Sequence, residues 1–135
     1  MKLSRASSYV VHALAFLAAP DSHQLVSGSV IGRTEDLPER FIPKLLTRLE
    51  RAQLLHSRIG PGGGYRLARP PSRISLLEII EAIDGTIRGD APYLGDAVDQ
   101  RLHKKLQAIC GQAVEQLRAR LAGVRLSQLI NKGRQ

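Results

Sequence analysis

Residues 54–67 read LLHSRIGPGGGYRL, and this stretch decides the fold. Leu55 and Ile59 alternate with polar His56 and Arg58, and Tyr65 and Leu67 alternate with Arg66, which is typical of a half-buried β-hairpin. The loop at residues 60–64, GPGGG, permits a tight turn with positive φ values and little side-chain bulk. Arg58 and Arg66 flank this loop. A basic, side-chain-poor hairpin directly after a basic helix predicts a wing that follows a nucleic-acid backbone.

The glycine-rich loop has two other interpretations, a nucleotide-binding loop and an ordinary surface hairpin. A Walker loop requires GK[ST] and a following helix, and a dinucleotide fingerprint requires strand, loop and helix in that order. Here Tyr65, Arg66 and Leu67 follow the glycines and read as a strand, which disfavours a nucleotide-binding loop. An ordinary surface hairpin is the remaining alternative.

The segment before the hairpin predicts an amphipathic helix that starts at Pro38, a residue suited to the first helical position. One broad face is apolar, with Phe41, Ile42, Leu45, Leu46, Leu49 and Ala52. The adjoining strip is cationic, with Arg40, Lys44, Arg48 and Arg51. Pro43 is expected to remove one backbone hydrogen bond and to kink the first turns. The alternative is a solvated surface helix without a partner.

Two shorter helices are predicted ahead of this basic helix. The first covers about residues 4–18, with Ser4 and Arg5 free at its start to meet phosphate. The second covers residues 26–33 with Ser27 as its N-cap, and residues 34–36 form the turn. The resulting order of helix, helix, turn, basic helix and basic hairpin describes a winged helix-turn-helix, whose third helix fits the major groove of DNA.

The distribution of charge favours a polyanionic partner. The net charge is +8 over 135 residues, and residues 38–75 carry eight Arg or Lys against two Glu, a local charge of +6. We therefore expect double-stranded DNA as the partner, with phosphates neutralised by the long cations. Base reading is expected from Arg40, Phe41 and Lys44. A solvated basic surface and an acidic membrane surface are the alternatives.

The composition is that of a globular protein, with 43% hydrophobic and 24% charged residues. The N-terminus resembles a secretory signal, but Ser7, Ser8 and His12 interrupt its apolar run, and the apolar residues fall at helical spacing. We expect an amphipathic first helix of a cytoplasmic protein, without a membrane span. Cys110 is the only cysteine, so this chain holds no disulfide within itself, which fits a reducing compartment.

The chain beyond the hairpin predicts a structural helix and then a long helix. Ser75 and Glu78 match a capping box, and Asp84-Gly85 ends that fourth helix. Residues 85–95 form a loop, and residues 96–123 show a long helical pattern. Such a helix exceeds what a small core needs, so its apolar face is expected to join a second copy. The expected dimerisation residues are Leu102, Leu106, Ile109, Ala113, Leu117 and Leu121.

The predicted fold is mainly α with a small β-hairpin, a winged helix-turn-helix domain plus a long dimerisation helix. Residues 1–85 form the DNA-binding domain and residues 86–95 a loop. Residues 96–124 form the dimerisation helix, and residues 125–135 a short helix and tail.

Several motifs together resemble the Rrf-two family of bacterial winged-helix transcription regulators. They are the start MKLS with YVVHAL at residues 9–14, FIPKLLTRL at 41–49, GPGGGY at 60–65, LEIIEAIDG at 77–85 and LSQLI at 126–130. The resemblance covers nearly the whole chain. It implies a homodimer joined by the long helix, a pseudo-palindromic operator, and a wing that enters the minor groove.

The resemblance and the charge pattern together define one set of candidate DNA-binding residues. They are Ser4, Arg5, Arg40, Phe41, Pro43, Lys44, Arg48, Arg58, Gly60, Pro61, Gly62, Gly63, Gly64, Tyr65 and Arg66. One departure concerns the wing. Many family members carry an arginine just before the wing glycines, where this chain has Ile59, so it has no arginine at that position to read the minor groove.

A second departure concerns the iron–sulfur cluster of the best-known family members, which is held by three cysteines. Gapless matching of the flanking motifs puts Pro92, Val98 and Lys104 at those positions, with Gln107 where a histidine can ligate. None of these side chains binds iron, and Cys110 is offset into the helix. We therefore expect no cluster, no other cofactor and no metal site.

The leading functional hypothesis is a cluster-free, homodimeric, sequence-specific DNA-binding regulator that acts as a repressor. Its signal is open: a small molecule, a protein partner or oxidation of Cys110, although an isolated helical cysteine is usually a packing residue. The alternative is a winged-helix protein-interaction module or a nonspecific nucleic-acid binder. An enzyme is not expected, because no catalytic constellation is present in the sequence.

Overall fold

The computed structural model describes residues 1–18, 24–34 and 39–130, apart from the side chains of residues 32–34. Its helices are α1 (Arg5–Leu17), α2 (Gly28–Thr34), α3 (Ile42–Arg51), α4 (Leu76–Asp84), α5 (Gln100–Ala122) and α6 (Leu126–Leu129). Strands β1 (Leu55–Arg58) and β2 (Gly64–Leu67) form one antiparallel hairpin. The predicted fold class, mainly α with a small hairpin, is confirmed. No helix in these ranges is long and apolar enough to cross a membrane.

Helix α1 begins at Arg5, one residue after the predicted start, with Ser4 as its N-cap. The Ser4 hydroxyl accepts a hydrogen bond from the backbone N–H of Ser7 at 3.0 Å, which satisfies one of the donors left open in the first turn. Val10, Ala13, Leu14 and Leu17 are buried along one face, as the helical spacing of apolar residues predicts.

Helix α2 starts at Gly28, two residues later than predicted. The Ser27 hydroxyl accepts from the Val30 N–H at 3.3 Å, which agrees with its expected capping role. Val26 is extended rather than helical, because its backbone pairs with Tyr65 of β2. Of the turn predicted at residues 34–36, Thr34 belongs to α2 and the rest lies outside the described residues, as does the predicted helix start at Pro38.

Helix α3 begins at Ile42, after a 3₁₀ turn at Glu39–Phe41. Pro43 therefore lies in the first turn, where a backbone N–H has no partner within the helix, and the expected kink is wrong. Ile42, Leu45, Leu46 and Leu49 are buried as predicted. Phe41, which was placed on the apolar face, is 45% exposed because it belongs to the 3₁₀ turn.

The predicted hairpin forms, with Leu55 opposite Leu67 and Arg58 opposite Gly64. Leu55 and Leu67 are buried at the base of the hairpin. The alternating pattern also placed Ile59 among the inward-facing residues, and this is wrong. Strand β1 ends at Arg58, and Ile59 is 97% exposed at the tip.

The remaining helices close the domain. Both hydrogen bonds of the Ser75–Glu78 capping box are present at the start of α4, and Gly85 ends the helix with a φ of 85°. Helix α5 starts at Gln100, four residues later than predicted, because the Asp99 carboxylate caps it. The Leu126 N–H donates to the Ile74 carbonyl at 2.8 Å, which joins α6 to the segment before α4.

One hydrophobic core unites α1, α2, α3, α4, α6 and the hairpin. Seven side chains at its centre have no exposed surface: Leu14, Ile31, Leu49, Leu54, Ile74, Ile79 and Leu126. This core fixes α3 and the hairpin relative to each other. It also leaves most of the length of α5 outside, since Leu121 is the one α5 residue buried in the chain.

Candidate nucleic-acid interface

The start of α3 presents an exposed polar and aromatic surface. Arg40, Phe41, Pro43 and Lys44 are all exposed. The guanidinium carbon of Arg40 lies 5.0 Å from the centroid of the Phe41 ring, a cation–π distance. An arginine held against a ring loses little entropy when it bonds a base edge or a phosphate. These residues therefore form a preorganised cationic surface at the N-terminal end of the helix.

Arg48 has a structural contact that the sequence pattern did not reveal. Its Nη1 donates to the Ile83 carbonyl oxygen at 2.8 Å, near the C-terminal end of α4. This charged hydrogen bond satisfies a carbonyl that the end of a helix leaves open. Arg48 thus ties α3 to α4, in addition to the phosphate contact expected from the cationic strip.

The wing needs glycine where its backbone makes close approaches. A Cβ on Gly63 would lie 2.1 Å from the Arg58 carbonyl oxygen, and a Cβ on Gly64 would lie 2.6 Å from the Val26 carbonyl oxygen. The Gly63 N–H donates to the Gly60 carbonyl at 2.9 Å and closes the turn. The tip of residues 60–64 is therefore a small, hydrogen-bonded turn with Pro61 exposed on it.

The wing is anchored beside the start of α3. The Val26 N–H donates to the Tyr65 carbonyl at 2.9 Å, and the Tyr65 N–H donates to the Val26 carbonyl at 2.8 Å. Tyr65 also lines a recess of about 360 Å³ together with Gly28 of α2 and Ile42 and Leu46 of α3. This pairing across 39 residues had no local signal in the sequence, and it makes Tyr65 a structural anchor.

A basic recess lies on the outer face of the wing. Its volume is about 620 Å³, and its lining is Gln24, Leu25, His56, Ser57, Arg58, Gly62 and Arg66. Arg66 lies directly opposite His56 in the hairpin. Since side chains two apart along a strand share a face, His56, Arg58 and Arg66 all project from the same side. Two guanidinium groups on one face suit the oxygens of a phosphate backbone.

The start of α1 differs from the expectation at Ser4. Its hydroxyl donates to the Asp84 carboxylate, at 2.8 Å to Oδ1 and 2.9 Å to Oδ2, so it is not free to meet phosphate. The buried Ser7 hydroxyl donates to the same carboxylate at 2.7 Å. Arg5 is exposed as expected. The end of α4 thus holds the start of α1 in place, with Arg5 on the surface.

The acidic residues of α4 are structural. Asp84 is exposed, and each of Glu78, Glu81 and Asp84 has a hydrogen-bond or ion-pair partner. Glu78 pairs with Arg69 at 2.8 Å. Asp84 accepts from two serines as described above.

Glu81 connects α4 with the following loop and with α5. It accepts two hydrogen bonds from Arg118 of α5, both at 2.9 Å, and one from the Ile87 N–H at 2.9 Å. Hydrogen bonding from Arg118 lowers the pKa of Glu81 from its ordinary 4.5 and outweighs the opposing effect of burial. The long helix is therefore joined to α4 by an ionised carboxylate.

The long helix exposes most of its predicted dimerisation residues. Leu102 is 56% exposed, Leu106 45% and Ile109 61%. Ala113 is also exposed, and Leu117 is half-buried. Leu121 is 8% exposed, so little of its side chain is open to a second copy. The apolar residues nearer the N-terminal end of α5, Leu102, Leu106 and Ile109, lie on the surface.

Cys110 lies where the loop crosses α5. It is half-buried, and a Cβ on Gly89 of the loop would lie 2.2 Å from the Cys110 carbonyl oxygen. The loop backbone therefore rests directly on the helix at this point. The close approach explains a glycine at position 89, which the sequence did not single out.

A sequence model of the Rrf2 family, described as an iron-dependent transcriptional regulator, matches residues 3–132. Over 89 residues the chain is 38% identical to the HTH-type transcriptional regulator IscR of Cereibacter sphaeroides, covering 64% of this chain and 57% of that protein. It is 33% identical over 102 residues to a Mycobacterium tuberculosis protein assigned to the HTH-type regulators, covering 70% of this chain and 63% of that protein. The chain thus spans about three fifths of the length of these relatives.

Among solved structures, CymR, the global cysteine regulator of B. subtilis, matches with a TM-score of 0.70 and 26% identity over 96% of each chain. This match confirms the winged-helix architecture. All three proteins are regulators by name rather than enzymes. They also support the resemblance that the sequence motifs indicated.

The donor groups of this chain do not fit an iron–sulfur cluster. Cys110 is its one cysteine, whereas such clusters are held mainly by several thiolates. Across residues 1–18, 24–34 and 39–130, no three His, Cys, Asp or Glu side chains converge as metal ligands. His103 lies on α5 with its Nε2 3.4 Å from the Gln107 amide nitrogen. The iron dependence in the family description therefore has no matching ligand set among the described side chains.

Proposed function

This chain belongs to the Rrf2 family of transcriptional regulators, and from that premise we propose that it binds a specific DNA operator as a homodimer and represses transcription. One observation carries the proposal. The exposed start of α3 and the basic wing are fixed next to each other, through the pairing of Val26 with Tyr65. This is the arrangement in which a helix reads the major groove while a hairpin contacts the adjoining backbone or minor groove.

Within this proposal, contacts divide into base reading and phosphate binding. Arg40, Phe41 and Lys44 lie at the end of α3 that enters the groove, where an arginine bonds guanine and an apolar edge contacts a thymine methyl. Arg58 and Arg66 bind phosphates beside the groove. Changing Arg40 should alter base preference, whereas changing Arg66 should weaken binding to all sequences and reduce its salt dependence.

The dimer is supported by the exposed apolar residues of α5. A helix of 23 residues is about 35 Å long, and its N-terminal two thirds place Leu102, Leu106 and Ile109 on the surface. Packing these residues against a second copy removes apolar surface from water and creates a two-fold axis. In this scheme residues 1–85 bind DNA, residues 86–95 are the loop, residues 96–124 dimerise and residues 125–135 form the tail. The operator is then an inverted repeat.

Repression follows from occupancy, since a dimer on a promoter operator excludes the polymerase. The effector is a small molecule or protein that acts on the loop or α5, or an oxidant of Cys110. The loop and α5 suit this role because both are bonded to Glu81 of α4.

We further propose that regulation does not use an iron–sulfur cluster held by this chain. The test is anaerobic purification followed by iron analysis and visible absorption. Iron at one cluster per chain with charge-transfer absorption contradicts this part of the proposal.

The DNA-binding proposal is tested with a duplex enriched from genomic fragments and with a scrambled duplex of the same composition. Binding to the enriched duplex should be stronger by about a thousandfold or more, and should weaken steeply as salt rises. Equal affinity for both duplexes contradicts operator recognition and leaves nonspecific binding or a protein-interaction role.

A further inference from the structure

Ile59 is the most exposed large apolar side chain of the described residues, at 97%. It lies at the tip of the wing, between the end of β1 at Arg58 and the turn that starts at Gly60. Single exposed apolar residues are common on protein surfaces and often have no role. The position of Ile59 distinguishes it, because it projects from the tip of an otherwise basic hairpin that the proposed function places against DNA.

The surroundings of Ile59 combine an apolar tip with a cationic wall. Arg58 and Arg66 line the basic recess directly behind the tip, on one face of the hairpin. The turn beyond Ile59 consists of glycines and one proline, and the hydrogen bond from the Gly63 N–H to the Gly60 carbonyl closes it at 2.9 Å. A tip this poor in side chains suits a minor groove about 6 Å wide.

We propose that Ile59 enters the minor groove as an apolar wedge while Arg58 and Arg66 bind the phosphates of the strand beside it. The inference rests on the proposed function, and it assigns a specificity-determining role to a residue that carries no charge. Isoleucine offers no hydrogen-bond donor to the base edges and gains nothing from the negative potential of a narrow A-tract. Its favourable interactions are apolar contacts with the walls of the groove and with the faces of bases that unstack easily. Apolar side chains used in this way insert at deformable base steps.

The proposal therefore makes a specific statement about sequence preference. At the wing position, the preferred step is a flexible pyrimidine–purine step, TA or CA/TG, rather than a stiff A-tract. An arginine at residue 59 would favour the opposite, because a narrow groove with enhanced negative potential attracts a cation.

The test is selection from a random-sequence duplex library with wild-type protein, Ile59→Arg and Ile59→Ser. All three proteins should enrich the same central half-site positions, which α3 reads. Wild type alone should enrich pyrimidine–purine steps at the flanking wing positions, and Ile59→Arg should enrich A-tracts there. Identical flanking preferences in all three overturn the inference while operator recognition stands. Absence of any motif with wild type overturns the proposed function itself.

Affinity and base stacking provide a second readout. Ile59→Ser should bind the selected duplex about tenfold more weakly, with an unchanged salt slope, because it loses apolar contact and no charge. Arg66→Ala is the matched control and should reduce the salt slope by about one. The fluorescence of 2-aminopurine placed at the wing step should rise when wild type binds, because the wedge unstacks this base, and should not rise with Ile59→Ser. A reduced salt slope with Ile59→Ser contradicts the wedge, as does an equal rise in 2-aminopurine fluorescence with wild type and Ile59→Ser. The exposed position makes folding of both Ile59 variants secure, and equal melting temperatures verify it.

Discussion

Replacing Gly64 by alanine tests whether the wing is held by its pairing with Val26. Gly64 has a φ of 147°, and a Cβ there would lie 2.6 Å from the Val26 carbonyl oxygen and 2.7 Å from the Val26 carbonyl carbon. These contacts are with backbone, which cannot move aside as a flexible side chain can. The segment before α2 must therefore separate from β2.

The expected cost has two parts. Backbone strain at this φ costs about 1–3 kcal/mol for a residue with a Cβ. Loss of the two hydrogen bonds between Val26 and Tyr65, at 2.9 and 2.8 Å, costs about 1 kcal/mol each. Gly64→Ala should thus lower the free energy of unfolding by about 3–5 kcal/mol in total.

The matched control is Gly62→Ala. Gly62 also has a positive φ, 75°, but nothing lies within 4 Å of a Cβ built there. Gly62→Ala therefore lowers the free energy of unfolding only through backbone strain, by about 1–2 kcal/mol. Urea denaturation followed by far-ultraviolet circular dichroism, at one fixed protein concentration, measures both variants. Equal destabilisation of the two would refute the claim that the Val26 contact holds the wing.

Three further predictions concern the helices. Arg48→Ala should lower the urea midpoint of unfolding, because it removes the hydrogen bond to the Ile83 carbonyl. Lys44→Ala, the control, should leave this midpoint unchanged and weaken DNA binding. Equal midpoints for the two variants contradict the Arg48–Ile83 contact. Glu81→Gln should lower the free energy of unfolding at pH 7. The difference in free energy from wild type should shrink as the pH falls below 4.5, since a carboxylate with a lowered pKa loses its stabilising contribution on protonation. A difference that does not change with pH contradicts this role of Glu81. Leu102→Asp should convert the proposed dimer to a monomer without lowering the helix content. Light scattering measures the mass and circular dichroism the helix content. A mass equal to that of the wild type contradicts the proposed α5 interface.

Features governed by neighbouring residues could be predicted from the sequence. The Ser75–Glu78 capping box and the Ser27 cap depend on atoms three residues apart, so a short window contains the whole interaction. The hairpin itself followed from alternation around a glycine turn, although the alternation extended one residue too far, to Ile59. Pro43 was misjudged because the 3₁₀ turn before α3 moved the helix start to Ile42.

Features that join distant segments could not be predicted in this way. The Arg118–Glu81 pair joins residues 37 apart, and the Ser7–Asp84 hydrogen bond joins residues 77 apart. Each side chain has an ordinary surface pattern in the sequence, and only the packing of the helices brings the partners together. The same holds for Leu121, whose spacing on α5 matches that of its exposed neighbours but which is only 8% exposed.

The most direct test of the central claim is selection of genomic fragments by the purified protein, followed by sequencing. The account predicts a sharp inverted repeat upstream of a small number of genes, with half-sites separated by about one helical turn of DNA or a multiple of it. Enrichment that follows fragment length or charge without any shared motif would contradict sequence-specific recognition by α3 and the wing.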